Sequence, residues 1–169
     1  NWELCLADGG STRKGVKKIL EFYSQNDPRI KVKFLSENKG IAGNSNKALS
    51  LATGEFIILL DHDDEIAPFA LHEVAKLLNR YPETDFIYSD EDKLNMIGQR
   101  TSPTFKPDWS PDFFLSCNYI IHVSAIRKTL VDKVGGFPMG YDGAQDYALF
   151  LMITEQTQKI RHIPKVLYH

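Results

Sequence analysis

The stretch Phe56-Ile57-Ile58-Leu59-Leu60-Asp61-His62-Asp63-Asp64 decides how this chain is read. Five consecutive apolar residues, rich in Ile and Leu, predict a strand buried on both faces. The run stops in three carboxylates within four residues. Side chains alternate along an extended strand, which predicts Asp61 and Asp63 on one side and His62 on the other. Carboxylates this close at the rim of a core repel one another, and an ionised group out of water is costly unless paired. A divalent cation relieves both problems, and hard oxygen ligands suit magnesium or manganese. Strand ends of this kind are where open α/β sheets take their ligands. The plainer alternative is a solvated turn, with one Asp capping the helix that starts near Pro68.

Working outward, the same strand–turn–helix rhythm recurs. Upstream, residues 2–7 read as a strand running into Asp8-Gly9-Gly10-Ser11-Thr12, a turn and helix start. Val16, Ile19, Leu20 and Tyr23 follow at helical spacing, and residues 30–35 alternate as a strand near an edge. Asn38-Lys39-Gly40 breaks that strand, and residues 41–51 read as a short helix closed by Gly54. Downstream, residues 68–81 form an amphipathic pattern with Leu71, Val74, Ala75, Leu77 and Leu78 inward. Phe86-Ile87-Tyr88 is a short strand ending in a second acidic cluster, Asp90-Glu91-Asp92, which either lines a cleft or forms a solvated loop.

The second half changes character. Residues 101–111 hold three prolines and Trp109, so they read as loop or edge. Residues 120–123 read as a strand, and Ser124 as the cap of a helix through Val134 that Gly135-Gly136 ends. Residues 144–155 are apolar nearly all round, a buried helix, and residues 160–168 close the chain. Strands alternating with helices through short connections predict an α/β fold with a mixed, mainly parallel sheet and helices on both faces. At 169 residues, with no repeat or linker, one domain spanning residues 1–169 is expected.

The totals narrow the function. A net charge of −2 and no basic stripe argue against a nucleic-acid partner. Cys5 and Cys117 are too few for a disulfide framework or a zinc site. No apolar run approaches the roughly 20 residues needed to span a bilayer. The expected location is therefore cytoplasmic, with peripheral association at the inner face of the membrane left open.

Ala7-Asp8-Gly9-Gly10-Ser11-Thr12, Asn38-Lys39-Gly40-Ile41-Ala42, Ala52-Thr53-Gly54-Glu55-Phe56 and Leu60-Asp61-His62-Asp63-Asp64 together resemble a family 2 glycosyltransferase of the GT-A fold. Val134-Gly135-Gly136-Phe137 and Tyr141-Asp142-Gly143-Ala144-Gln145-Asp146-Tyr147 extend the likeness across the chain, closest to bacterial rhamnosyltransferase-like proteins that build cell-surface polysaccharides. The resemblance implies an inverting, metal-dependent enzyme. It would move a sugar from a nucleotide-sugar donor to a hydroxyl of a saccharide or lipid-linked saccharide acceptor. It implies that Asp8 binds the base or ribose, with Lys39 a further donor contact, and that Asp61 contacts the ribose. Asp63 would hold the Mn or Mg ion that bridges the phosphates, with His169 as a weaker metal contact, and Asp146 would be the base. Gln145 stands where many relatives carry Glu, and the Asn44-Ser45-Asn46 segment lacks an Arg frequent there. The family's opening strand, with its Pro-x-Tyr-Asn-like motif, is not among residues 1–169; either it lies ahead of Asn1 or another segment takes its place, and if nothing fills that position weak donor binding by residues 1–169 alone is expected. Two other readings stand beside this one. The first is a degenerate glycosyltransferase module that binds a glycan or partner. The second is a sugar nucleotidyltransferase, which should carry a glycine- and Lys/Arg-rich phosphate loop after its first strand.

Overall fold

The computed structural model describes residues 1–169. Its elements follow in the order β1 (Leu4–Asp8), α1 (Lys14–Asn26), β2 (Ile30–Phe34), α2 (Gly40–Leu49), β3 (Phe56–Ile58), α3 (Ala70–Arg80), β4 (Phe86–Leu94), β5 (Arg100–Thr104), α4 (Pro111–Ser116), β6 (Ser124–Arg127), α5 (Lys128–Lys133), α6 (Gln145–Thr154) and β7 (Ile160–Tyr168). The chain divides into two compact units, one of residues Asn1–Glu55 and Val131–Ile153, the other of residues Phe56–Leu130 and Thr154–His169.

In the first unit β1 and β2 pair in parallel, with Leu4 opposite Ile30 and Asp8 opposite Phe34. Glu3 ties the base of this pair together. Its carboxylate accepts from Lys31 Nζ, from the backbone N–H of Thr53, and from the N–H of Gly54 at 2.9 Å. The Lys31 bond, followed by the Thr53 backbone bond, lowers the Glu3 pKa from 4.5 to about 2. Helix α6 needs no amphipathic face, because Leu149, Phe150 and Ile153 are all fully buried.

The second unit is built on β4. β6 pairs antiparallel with residues 86–88 and β5 with residues 91–94, while β7 runs parallel to β4 from Phe86 to Glu91. The sheet is thus mixed, with its parallel pairing at β4–β7 and antiparallel hairpin geometry at β4–β5. Ile87, Val123, Ala125, Ile163, Leu167 and Tyr168 form the core with Ala67, Ala70 and Val74 of the α3 side. Each large apolar chain buried there contributes about 1.5–3 kcal/mol.

Three expectations from sequence are corrected by tertiary pairing. The Ile/Leu run forms only a three-residue strand, and its residues are half-buried, because β3 pairs with β6 alone and lies at the sheet's edge. Ser124 starts a strand rather than capping a helix. Residues 124–126 are buried and face partners on both edges, β3 and β4, which outweighs local preference. The helix expected there shrinks to α5 and ends, as expected, at Gly135 and Gly136, both left-handed. Finally, β4 continues straight through Asp90-Glu91-Asp92, so that cluster is strand and not loop.

Candidate functional site

The acidic turn lies beyond β3, where the chain is no longer extended. The N–H of Asp64 donates to the carbonyl of Asp61 at 3.3 Å, closing a turn over residues 61–64. A turn brings positions 61 and 64 together instead of 61 and 63, so the alternation expected of a strand does not apply. Asp61, Asp64 and His122 each offer a ligand atom, and these atoms lie within 4.8 Å of one another. Two carboxylates and an imidazole suit a divalent cation such as Mn, which takes both oxygen and nitrogen donors.

Tyr168, 2% exposed, organises the turn from below. Its hydroxyl donates to Asp64 Oδ2 at 2.8 Å and accepts from the N–H of Asp61 at 3.1 Å. Burial, chiefly, pushes the Tyr168 pKa up, so it stays a neutral donor at physiological pH. The same ring stacks against the His122 imidazole, with centroids 4.2 Å apart and planes 10° from parallel. His122 has φ of +48°, a left-handed conformation that costs a non-glycine residue about 1–2 kcal/mol. Such strain persists only where surrounding contacts enforce it.

In the same unit a polar network links β4 to β7 and to residues 100–106. His162 Nε2 lies 2.7 Å from Asp90 Oδ1, and His169 Nδ1 lies 2.6 Å from Asp92 Oδ1. Arg100 Nε donates to the other oxygen of Asp92 at 2.6 Å. Burial alone would raise the Asp92 carboxyl, but the bonds from His169 and Arg100 outweigh it and hold it below the usual range. Lys106 donates to Glu91 and to two backbone carbonyls, and burial lowers its pKa.

The first unit holds the remaining candidates. The Asp8 carboxylate accepts from the N–H of Ser11 at 3.2 Å, opening the turn through Gly9 and the left-handed Gly10. Gly9 is required by close approach, since a Cβ there would stand 2.7 Å from Asn44 Nδ2. Asn38 Oδ1 in turn accepts from Asn44 Nδ2 at 2.8 Å and from the N–H of Gly40 at 3.0 Å. Lys39 is exposed, its ammonium 3.3 Å from Glu37, while its N–H donates to Asn44 Oδ1. Asn46 holds Phe137 by two reciprocal bonds of 2.8 Å to its N–H and carbonyl. Gly136, left-handed, could carry no Cβ without approaching Asn46 Oδ1 to 2.4 Å. Asp146 stands in the first turn of α6, and Gln145 accepts from the N–H of Gly143 at 2.9 Å.

The structure therefore brings Asp61 together with Asp64 and His122, and Asp8 together with the Asn38–Asn44 frame that also carries Lys39. Asp63 is not in the three-residue group. Its side chain is 75% exposed, 3.5 Å from a still more open His62. His169 directs Nδ1 to Asp92. Sequence reading missed Asp64 and His122 as partners of Asp61 and Tyr168 as their support, and, in the first unit, missed the frame that Asn44 forms with Asn38 and the hold of Asn46 on Phe137. The adjacent acids flagged Asp64, but nothing local marks His122, whose place depends on a turn that reads as strand.

The chain as a whole is similar to known proteins. The family model described as glycosyl transferase family 2 matches residues 1–139. The chain belongs to glycosyl transferase family 2. It is 38% identical over its whole length to the O-antigen biosynthesis protein RfbC of Myxococcus xanthus, of which it spans 13%. The S. aureus protein TarS, solved with UDP-GlcNAc, superposes with a TM-score of 0.80 at 24% identity, over 98% of this chain and 48% of that one. A mannosyltransferase from Pyrobaculum calidifontis, solved with GDP-Man and Mn2+, gives a TM-score of 0.66 at 22% identity, over 97% of this chain and 46% of that one. The two likenesses establish the GT-A fold. No helix is long and apolar enough to cross a membrane.

Proposed function

We propose that this chain is the donor-binding and catalytic part of an inverting glycosyltransferase acting in cell-surface polysaccharide synthesis. The observation that carries the reading is the convergence of Asp61, Asp64 and His122 on one point, in a family 2 chain. That donor set fits a divalent cation. When bound, Mn or Mg supplies positive charge against the phosphates of a nucleotide sugar and stabilises the departing nucleoside diphosphate.

The chain's own residues do the rest. Asp8 and Lys39, fixed by the Asn38–Asn44 frame, are assigned to the nucleotide, and Asp61 to the ribose as well as the cation. Asp63, in the same turn and open to solvent, is assigned a contact to the cation made once the nucleotide is bound, and His169, expected as a weaker metal contact, instead has its Nδ1 engaged by Asp92. Asp146, whose position in the family motif and in the first turn of α6 supports the role, takes the proton from the acceptor hydroxyl. The acceptor oxygen bonds to the anomeric carbon as the bond from that carbon to the phosphate oxygen breaks, and the nucleoside diphosphate carries away the electron pair. The acceptor is a saccharide or lipid-linked saccharide, with residues 1–169 acting as one domain of an enzyme that works at the cytoplasmic face of the membrane.

The test is sugar transfer by the full-length protein from labelled UDP- and GDP-sugars with and without EDTA. Chelation should abolish transfer, Mn should restore it, and Asp146→Asn should leave donor binding intact while stopping turnover. Transfer at an unchanged rate after chelation would refute the cation's role.

A further inference from the structure

We infer that Lys106 is the positioning residue of the cation site, holding His122 in the conformation that aims its imidazole at Asp61 and Asp64. The inference rests on the reading of those three residues as a cation site.

Residues 120–123 read from sequence as a strand, yet none of them is in one. In an extended chain successive carbonyls point to opposite sides, so one donor cannot serve two in a row. Here a single ammonium does. Lys106 Nζ donates to the carbonyl of Ile121 and, at 2.7 Å, to the carbonyl of His122. Both oxygens can converge on one cation only if the chain turns at position 122, and His122 has φ of +48°. The Lys106 side chain is 2% exposed, so water does not share this task.

The lysine is itself well placed to act as a fixed point. Its backbone N–H donates to Asp90 Oδ1 at 2.9 Å, and Asp90 is buried against His162. Glu91 Oε2 lies 2.9 Å from the ammonium and balances its charge. From the other direction the Tyr168 ring holds the imidazole face while its hydroxyl holds Asp64. Lys106 thus sets the backbone of His122, and Tyr168 sets its ring plane. A lone lysine in an apolar core would be costly. This one is spent on main-chain oxygens that flank a proposed ligand, beyond the single partner that charge balance requires.

The experiment uses Mn(II) alone as probe, on the full chain, read by electron spin-echo modulation from a coordinating imidazole nitrogen and by titration of free Mn(II). Wild type should bind Mn(II) with nitrogen modulation, and His122→Ala should lose the modulation. Lys106→Met should also lose it and bind Mn(II) at least tenfold more weakly, with an unchanged far-ultraviolet circular dichroism spectrum. Should that variant fail to fold, Lys106→Gln, a shorter neutral donor able to reach one carbonyl, carries the test with a weakened modulation expected. Wild-type modulation and affinity in a folded Lys106 variant would overturn the inference while leaving the cation site standing. A wild type that binds no Mn(II), or binds it without nitrogen modulation, would instead sink the reading of the site and the inference with it.

Discussion

The turns at Asp8 and at Asp61 begin from the same sequence idea, an acid just beyond a short strand, and the chain holds them in opposite ways. Around Asp8 the supports are neutral: glycines that admit close approach, and the side-chain amides of Asn38 and Asn44 bonded to backbone, with Asn46 on the same helix α2 bonded likewise to Phe137. Around Asp61 the supports are titratable or charged: Tyr168, Lys106, and the histidine–carboxylate pairs on β4 and β7. A neutral frame keeps its shape regardless of what binds. A charged frame is sensitive to any ion placed among it, which suits the cation site proposed at that turn. The first should therefore fail by steric change, the second by loss of a single polar atom.

The largest expected effect lies in the neutral frame. Gly136→Val combines a left-handed backbone with a Cβ placed 2.4 Å from Asn46 Oδ1, and should cost about 3 kcal/mol in urea unfolding. Combining it with Asn46→Ala should recover part of that loss; a purely additive double variant would show that the clash is not with Asn46. Next, Glu3→Gln should cost roughly 2 kcal/mol by losing charge-assisted bonds. Because the folded pKa of Glu3 is depressed, to about 2 from 4.5, its contribution is complete above about pH 4.5 and disappears as pH falls toward 2. Wild type should accordingly lose more stability over that window than Glu3→Gln does, as followed by thermal melts at stepped pH.

In the charged frame, Asp64→Ala should weaken Mn(II) binding at least tenfold, about 1.4 kcal/mol, with little change in melting temperature. The smallest effect is expected at the neighbouring acid. Asp63→Ala should change Mn(II) affinity within about twofold in the absence of nucleotide, since its carboxylate is 75% exposed and outside the three-residue group. Equal losses in the two variants, measured side by side by calorimetry, would erase the distinction between positions 63 and 64.

Sequence alone carried the α/β alternation, the helices near residues 14–26 and 70–80 and the stop at Gly135-Gly136, because each depends on local spacing or on turn chemistry. It misplaced what depends on distant partners. β4 passes through three consecutive acids only because His162, His169, Arg100 and Lys106 come from elsewhere to meet them. Ser124 becomes a strand residue because two strands flank it. The turn brings Asp61 beside Asp64 and His122, a grouping that strand alternation does not suggest, because β3 ends three residues before Asp61. The roles assigned to Asp146 and Asp8 rest on the family motifs, since locally each reads equally as a turn or helix-start acid.

The most direct test is a crystal of the full chain soaked with MnCl2 and a nucleoside diphosphate, with data collected at the manganese absorption edge. An anomalous peak within bonding distance of Asp61, Asp64 and His122 is the result expected here. A peak held instead by Asp63 and His169, with His122 turned away from it, would contradict the site as described.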